Sequence, residues 1–190
     1  MQATDAISQT VKSGQIELIC GPMFSGKTTA LLTRLRDAHR TTGRVALFKP
    51  TLDTRYSTRE VVSHDGVAMA AVNLERVELL SELVRDASVV GIDEVHFFEP
   101  TLVAICADLA RAGRRIIAAG VDIDHRGNPF EVVRQLEAAA AEVVRLTAIC
   151  SRCGGVARFS QRLVASNDLI VVGGAGAYEP RCDRCFQPGG

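Results

Sequence analysis

Eight consecutive residues, Gly21-Pro22-Met23-Phe24-Ser25-Gly26-Lys27-Thr28, constrain this chain more than any others. They fit the pattern G-x-x-x-x-G-K-S/T and lie between a strand-like run, Gln15–Cys20, and an apolar and basic run of helical character, Thr29–His39. Strand, glycine loop and helix in that order are the context the pattern requires. The glycines let backbone N–H groups turn inward around phosphate oxygens, and the helix amino terminus adds positive partial charge. Lys27 is then expected to reach the terminal phosphates of a nucleotide, and the Thr28 hydroxyl to ligate Mg²⁺.

The rest of the chain repeats strand and helix. Val45–Lys49 reads as a strand stopped by Pro50, and the polar stretch Thr51–Gly66 as a partly mobile surface loop. Leu74–Asp86 has helical spacing, with Leu74, Val77, Leu80 and Leu83 on one face. Ser88–Ile92 and Arg115–Ala119 read as strands covered on both faces, separated by a helix over Pro100–Ala112 that Gly113 ends. Glu131–Glu142 is an alanine-rich helix and Val143–Thr147 a last parallel strand. This alternation predicts an α/β fold, a P-loop NTPase-like parallel sheet flanked by helices on both faces. The expected organisation is a flexible leader over 1–14, a nucleotide-binding domain over 15–148 and a small lobe over 149–190.

At 190 residues the chain suits one ordinary domain with a short appendage, and 47% hydrophobic residues suffice for a core. Lys+Arg and Asp+Glu each total 22, so no general attraction to a nucleic-acid backbone or an anionic membrane is expected. No run approaches the ~18 apolar residues of a membrane span, and Met1–Gly14 lacks the apolar core of a secretory signal. A cytoplasmic protein is the expectation. Six cysteines in a reducing compartment then leave metal, redox chemistry or burial as their roles.

Nucleotide sites on such sheets need an acid at the end of a neighbouring buried strand, and Asp93 supplies it after Val89–Ile92, placed to hold Mg²⁺ directly or through water. Glu94 follows at once, suited to accept a proton from an attacking hydroxyl, whether that of water in a hydrolase or of an alcohol in a kinase. Cys150-x-x-Cys153 and Cys182-x-x-Cys185 present two thiolate pairs, as a tetrahedral Zn²⁺ site requires. Gly154-Gly155 is a poor helix start, which disfavours the redox reading. The 28 residues between the pairs exceed the usual ribbon spacing of roughly 15–20, so an extra loop must project from the zinc ribbon. Cys150–Gly190 holds five arginines against three acids, and four thiolates with one Zn²⁺ offset that excess, so the ribbon looks structural. Cys20 and Cys106 read as buried packing.

Several motifs in one order carry a more specific resemblance. Gly21–Thr28, Asp53-Thr54-Arg55-Tyr56-Ser57, Ile92-Asp93-Glu94 followed by Phe97-Phe98, Arg126 with Pro129-Phe130, and Leu146–Cys153 together resemble the type II thymidine kinases over about Gln15 to Phe186. The resemblance implies transfer of the ATP γ-phosphate to the 5′-hydroxyl of thymidine, with Glu94 as general base and Mg²⁺ held at Thr28 and Asp93. It places Asp53, Arg55 and His96 beside the nucleotide with the phosphate loop. It further implies a substrate loop projecting from the zinc ribbon, with Ile170, Val171, Val172, Gly173 and Gly174 meeting the base through backbone groups. Met23, Phe97, Val121, Phe130 and Tyr178 would wall the base. A homotetramer, inhibition by dTTP and a role in nucleotide salvage for DNA synthesis follow from the same resemblance. Two positions depart from the family pattern: His96 stands where Gln is common, and His125 where Phe is common. Both can donate a hydrogen bond or stack, and both bear on base affinity and pH behaviour. Two rival readings stand beside this one: the same fold acting on a broader set of pyrimidine deoxynucleosides, and a P-loop ATPase or switch whose ribbon docks a partner.

Overall fold

Strand β1 (Ile16–Cys20) is buried at every residue. Its side chains alternate between two apolar layers, so a single strand nucleates both faces of a sheet. The computed structural model describes residues 14–52, 60–62, 68–84, 86–166, 168–169 and 171–189. After β1 come α1 (Lys27–Thr42), β2 (Val45–Pro50), β3 (Glu60–Val62), β4 (Ala68–Ala70), β5 (Val72–Leu74), α2 (Leu80–Leu83) and β6 (Val89–Ile92). Then follow α3 (Thr101–Arg111), β7 (Arg115–Gly120), α4 (Glu131–Ala139), β8 (Glu142–Arg145), β9 (Ala148–Ile149), β10 (Val156–Ala157), β11 (Phe159–Arg162) and β12 (Tyr178–Arg181).

Six strands form one sheet in the order β5-β2-β6-β7-β1-β8, with every neighbouring pair parallel. On one face Leu18 and Cys20 of β1 join Ile92 and Ile116 beneath α3 (Leu102, Cys106, Leu109) and α4 (Val132, Leu136). On the other, Ile19 joins Leu47 and Ile117 beneath α1 (Leu31, Leu32, Leu35). Cys20 and Cys106 are fully buried in the first layer, the packing role expected of them. The expected three-layer α/β architecture is therefore present. The carboxyl-terminal lobe is built from two short antiparallel ribbons, β9 with β10 and β11 with β12.

Glu17 is the polar exception in β1. It is buried, yet Arg115 of β7 grips it with two nitrogens and Arg34 of α1 with a third at 2.5 Å, while Arg34 also reaches Glu142 of β8 at 2.7 Å. Burial alone would raise this carboxyl's pKa, but the guanidinium hydrogen bonds outweigh it and hold the pKa below the ordinary value.

Five sequence expectations change. The helix expected over Leu74–Asp86 resolves into β5, a 3-10 turn at Val77–Leu79 and the single turn α2; Leu74 and Leu80 are buried, but Leu83 is exposed. Here the i, i+3 spacing came from a strand end running into a turn. Pro50 does not stop β2 before itself: it is the last strand residue, opposite Leu74. The polar stretch after it contributes β3, paired antiparallel with β4. The helix expected over Glu131–Glu142 ends at Ala139, and Glu142 starts β8, which ends at Arg145 rather than Thr147. No helix among the described residues is long and apolar enough to cross a membrane.

Helix α1 rides so close to the sheet that a Cβ added at Gly91 would lie 2.4 Å from Leu35 Cδ1 and 3.1 Å from Leu47 Cδ1. Both neighbours are packed on all sides, so neither can move aside without strain. Gly91→Ala should therefore destabilise the fold by about 1–3 kcal/mol in urea denaturation; unchanged stability would show that the α1 interface is loose.

Candidate active site

The phosphate-loop sequence leaves β1 beneath the end of β8. A Cβ at Gly21, whose φ is 142°, would stand 2.3 Å from the Leu146 carbonyl oxygen, so only glycine lets the backbone pass. Phe24 (φ 64°) and Gly26 (φ 84°) complete the turn, and α1 begins at Lys27 with its amino terminus facing the loop. Lys27 is buried and its ammonium donates to the Pro22 carbonyl at 2.6 Å, folded back over the loop it is expected to serve. Ser25 Oγ is buried without a hydrogen-bond partner among the described residues. An orphaned hydroxyl beside inward-turned backbone suits a bound phosphate oxygen. The Thr28 hydroxyl donates to Asp93 Oδ2 at 3.1 Å, which brings the two expected Mg²⁺ ligands together.

Asp93 and Glu94 leave the end of β6. Burial pushes the Asp93 carboxyl up to about 7, with the neighbouring Glu94 charge adding to the effect. An oxygen pair formed by a buried acid and a threonine hydroxyl fits a hard divalent cation. Glu94 adopts left-handed backbone, φ 50° and ψ 43°, a conformation that costs a non-glycine residue roughly 1–2 kcal/mol. Its N–H is held by Asp93 Oδ1 at 2.9 Å. Glu94 lines an adjoining cleft, and Asp93 does not. His96 Nδ1 accepts the Val121 N–H at 3.2 Å and lies 3.5 Å from Glu94 Oε2. With Nδ1 so occupied, the neutral ring carries its proton on Nε2. The ring packs against Phe97 and Phe130, with centroids 4.3 and 5.1 Å away.

The cleft, about 470 Å³ and open to solvent, lies between the phosphate loop and the carboxyl-terminal lobe. Of the residues expected around a substrate, Met23, Phe97, Val121, Phe130, Val171, Gly173 and Tyr178 line it together with Glu94 and His96. Val172 is exposed and, like Gly174, does not line it. Asp53, Arg55 and Ile170 lie outside the described residues. Sequence reasoning missed Ile123, Asp124, Ser160 and Leu169, which also line the cleft. Asp124 had a readable signal: its carboxylate accepts the N–H groups of Arg126 and Asn128, both at 2.8 Å, a turn signature ahead of Gly127. Ser160 had none, because its partner is 137 residues away: its Oγ accepts the Met23 N–H at 2.9 Å.

The loop between β11 and β12 is closed at its base by the Leu163 N–H on the Ala177 carbonyl. Arg162 and Tyr178 stand opposite each other at the final rung, so both side chains lie on one face of the ribbon. Each reaches into the loop above. Arg162 donates to the carbonyls of Ser166, Asp168 and Leu169, and the Tyr178 hydroxyl accepts the Val171 N–H at 3.3 Å.

In the same lobe the sulfur atoms of Cys150, Cys153, Cys182 and Cys185 all lie within 4.8 Å of one another, with Cys153 and Cys182 3.5 Å apart. Tetrahedral thiolates around Zn²⁺ stand about 3.8 Å apart, given Zn–S bonds of ~2.3 Å, so the set fits such an ion. Burial raises the Cys150 thiol, but backbone N–H groups of Cys182, Cys153 and Arg152 outweigh it and bring the pKa to about 6. Cys185 is pushed up to about 12, first by its hydrogen bond with Cys182. Paired hydrogen bonds between Gln161 and Gln187 brace the lobe internally, and the Gly189 N–H on the His125 carbonyl fastens it to the main domain.

Comparison with known proteins places this geometry. The family profile described as thymidine kinase matches residues 14–186. Relatives named thymidine kinase include one from a Rhodothermus species, 49% identical over 92% of this chain and 82% of its own length. Another, from Bacteroides thetaiotaomicron, is 43% identical over 96% of this chain and 92% of its own. Among solved structures, the flagellar accessory protein FlaH from Methanocaldococcus jannaschii superposes with a TM-score of 0.52 at 12% identity, covering 90% of this chain and 88% of that one, a likeness of fold alone.

The bond between Met23 and Ser160 ties the phosphate loop to the carboxyl-terminal lobe. Ser160→Ala leaves that N–H without its acceptor, and should cost about 1–3 kcal/mol of stability while speeding hydrogen exchange at the Met23 amide. An unchanged exchange rate would show that the two lobes are not joined there.

Proposed function

The chain belongs to the thymidine kinase family, and from that premise we propose that it is an ATP:thymidine 5′-phosphotransferase with Glu94 as general base. The observation that carries this reading is the position of Glu94: its left-handed backbone sets one carboxylate between the phosphate loop and an apolar-walled cleft. In this reading the backbone of the loop after Leu169, with Val171 and Gly173 at the cleft, meets the polar edge of the thymine, while Met23, Phe97, Val121, Phe130 and Tyr178 wall the ring. Phosphates would lie along Gly21–Thr28, with Ser25 Oγ and Lys27 Nζ turning from their present environment to the phosphate oxygens. Thr28 and Asp93 would hold Mg²⁺, which when bound neutralises charge on the transferring group.

Glu94 then takes the proton of the thymidine 5′-hydroxyl as its oxygen attacks the γ-phosphorus, giving dTMP and ADP. The cleft walls would orient that hydroxyl towards the γ-phosphorus. Cys150, Cys153, Cys182 and Cys185 would hold one structural Zn²⁺. The remaining parts of the proposal are a division of the chain near Ala148 into nucleotide and substrate lobes and a cytoplasmic location, which rest on the change of sequence character at Cys150 and on the polar leader, and a homotetrameric state with inhibition by dTTP, which rest on the family.

With Mg-ATP, purified protein should convert thymidine to its monophosphate. Glu94→Gln should lower kcat by about 10²–10⁴ with ATP binding retained. Thymidine-independent ATP hydrolysis as the main activity would overturn the assignment in favour of an ATPase or switch. Metal analysis should find about one Zn per chain. Chelation or Cys153→Ser should weaken thymidine binding more than ATP binding, because the substrate loop hangs from the cysteine lobe; equal loss of both would indicate global unfolding instead.

A further inference from the structure

Arg162 is 2% exposed, yet among the described residues its hydrogen bonds go to three carbonyls, with the His125 ring in contact, rather than to a carboxylate. Nη1 donates to the Ser166 carbonyl at 3.1 Å, and Nη2 to those of Asp168 at 2.7 Å and Leu169 at 3.0 Å. Nη2 also lies 2.6 and 2.9 Å from the two ring nitrogens of His125. Burying a guanidinium with no counter-charge beside it is costly, and hydrogen bonds to carbonyls offset only part of that cost. Here three carbonyls of one loop arm converge on a single planar fork, and Leu169 and Val171 of that loop line the cleft.

We propose that Arg162 is a positioning residue for nucleoside binding, holding the Ser166–Leu169 arm against the cleft, and that His125 makes this hold acid-sensitive. The proposal rests on the thymidine reading of the cleft for its ligand, though not for the loop contact itself. The two Nη2 hydrogens serve the Asp168 and Leu169 carbonyls, and its similar distances to both ring nitrogens set the guanidinium against the His125 ring itself, a contact that a neutral imidazole accepts and a cationic one opposes. Protonation would fill both nitrogens with hydrogens, set a second cation against the guanidinium and make the ring compete for the Leu169 carbonyl.

The other charges facing His125 come from its own turn: Asp124, which favours the protonated ring, and Arg126, which opposes it. Burial first and Arg162 second hold the ring below its ordinary pKa, outweighing Asp124. The direction of the pH effect follows. The closed arm prefers neutral His125, whereas an open arm lets the ring return to about 6.5. The closed state is therefore fully favoured above that pH and loses ground as pH falls through it.

The test uses the full chain with its metal. Equilibrium binding of thymidine is measured beside binding of ATP, with hydrogen exchange of residues 163–177, at about pH 7.5 and about pH 5.5. Thymidine has no group that titrates in this window. Arg162→Lys keeps the charge but loses the fork, and should weaken thymidine at least about tenfold, as losing a charge-assisted bond does. ATP affinity should change less than about twofold, and exchange in 163–177 should rise. Wild-type thymidine binding should weaken several-fold at the lower pH with faster loop exchange, whereas His125→Gln, which does not titrate, should show a clearly shallower dependence, the remainder being that of Asp93, and no acceleration of loop exchange.

Equal thymidine affinity in Arg162→Lys and wild type would overturn the positioning role. The same pH dependence in His125→Gln and wild type would overturn the acid sensitivity. If wild type binds no thymidine at all, the functional reading fails instead, and loop exchange still decides the contact. Should Arg162→Lys not fold, pH-dependent exchange in wild type against His125→Gln decides alone: no acceleration in wild type at about pH 5.5 refutes the proposal.

Discussion

Burial of β1 between β7 and β8 is the constraint on which the rest depends. All five of its residues are buried, four of them in the apolar layers on its two sides, and its two neighbours run parallel to it. Parallel strands end at the same edge, so the loops after β6, β7 and β1 emerge side by side. One carries Asp93 and Glu94, the next Val121 to His125, and the third the glycine loop. A crevice at the carboxyl edge of a parallel sheet is where such folds bind ligands. Local chemistry then differentiates the three loops: Gly21 passes beneath Leu146 because it has no Cβ, and Glu94 turns through left-handed backbone towards the cleft. The strain at Glu94 is sustained because the hydrophobic layers beneath it are stiff.

That edge forms only half of a binding site. The other half comes from a lobe with a very small apolar centre, Cys150, Ala157 and Cys182, which could not hold a loop in place by packing alone. Its rigidity must come from directional bonds: four sulfurs within reach of one ion, the Gln161–Gln187 pair, and the Ser160 hydroxyl under the Met23 amide. The lobe and the phosphate loop are thus coupled through a main-chain contact, and a change in one is felt by the other without any side chain of the glycine loop being altered.

How much of this was legible in the sequence depended on how local each signal was. The glycine loop, the acid after β6 and the cysteine pairs are short motifs whose chemistry needs fixed spacing, and each stands where it was expected. The excess length between the cysteine pairs foretold a projecting loop. Edge structure was poorly legible: β5 is three residues long, and Leu74, Val77 and Leu80 mimic helical spacing because the strand runs straight into a turn. The end of α4 was hidden by alanines that suit a helix wherever it stops. Ser160, and the contact between His125 and Arg162, could not be read at all, since nothing near either residue in sequence announces a partner brought in by tertiary folding.

The opposed pair Arg162 and Tyr178 has a consequence for how such a chain can change over generations. Both tethers spring from one rung of a two-stranded ribbon, and side chains in strands alternate with a period of two. Inserting a single residue within β11 would turn Arg162 to the opposite face while Tyr178 stayed, so the loop would lose one arm at a stroke. Residues added beyond Leu169, between the two tethers, would leave both anchors in register. The ribbon therefore tolerates drift in the length and composition of the loop's tip while resisting indels at its root, and new specificities can be sampled there without rebuilding the scaffold.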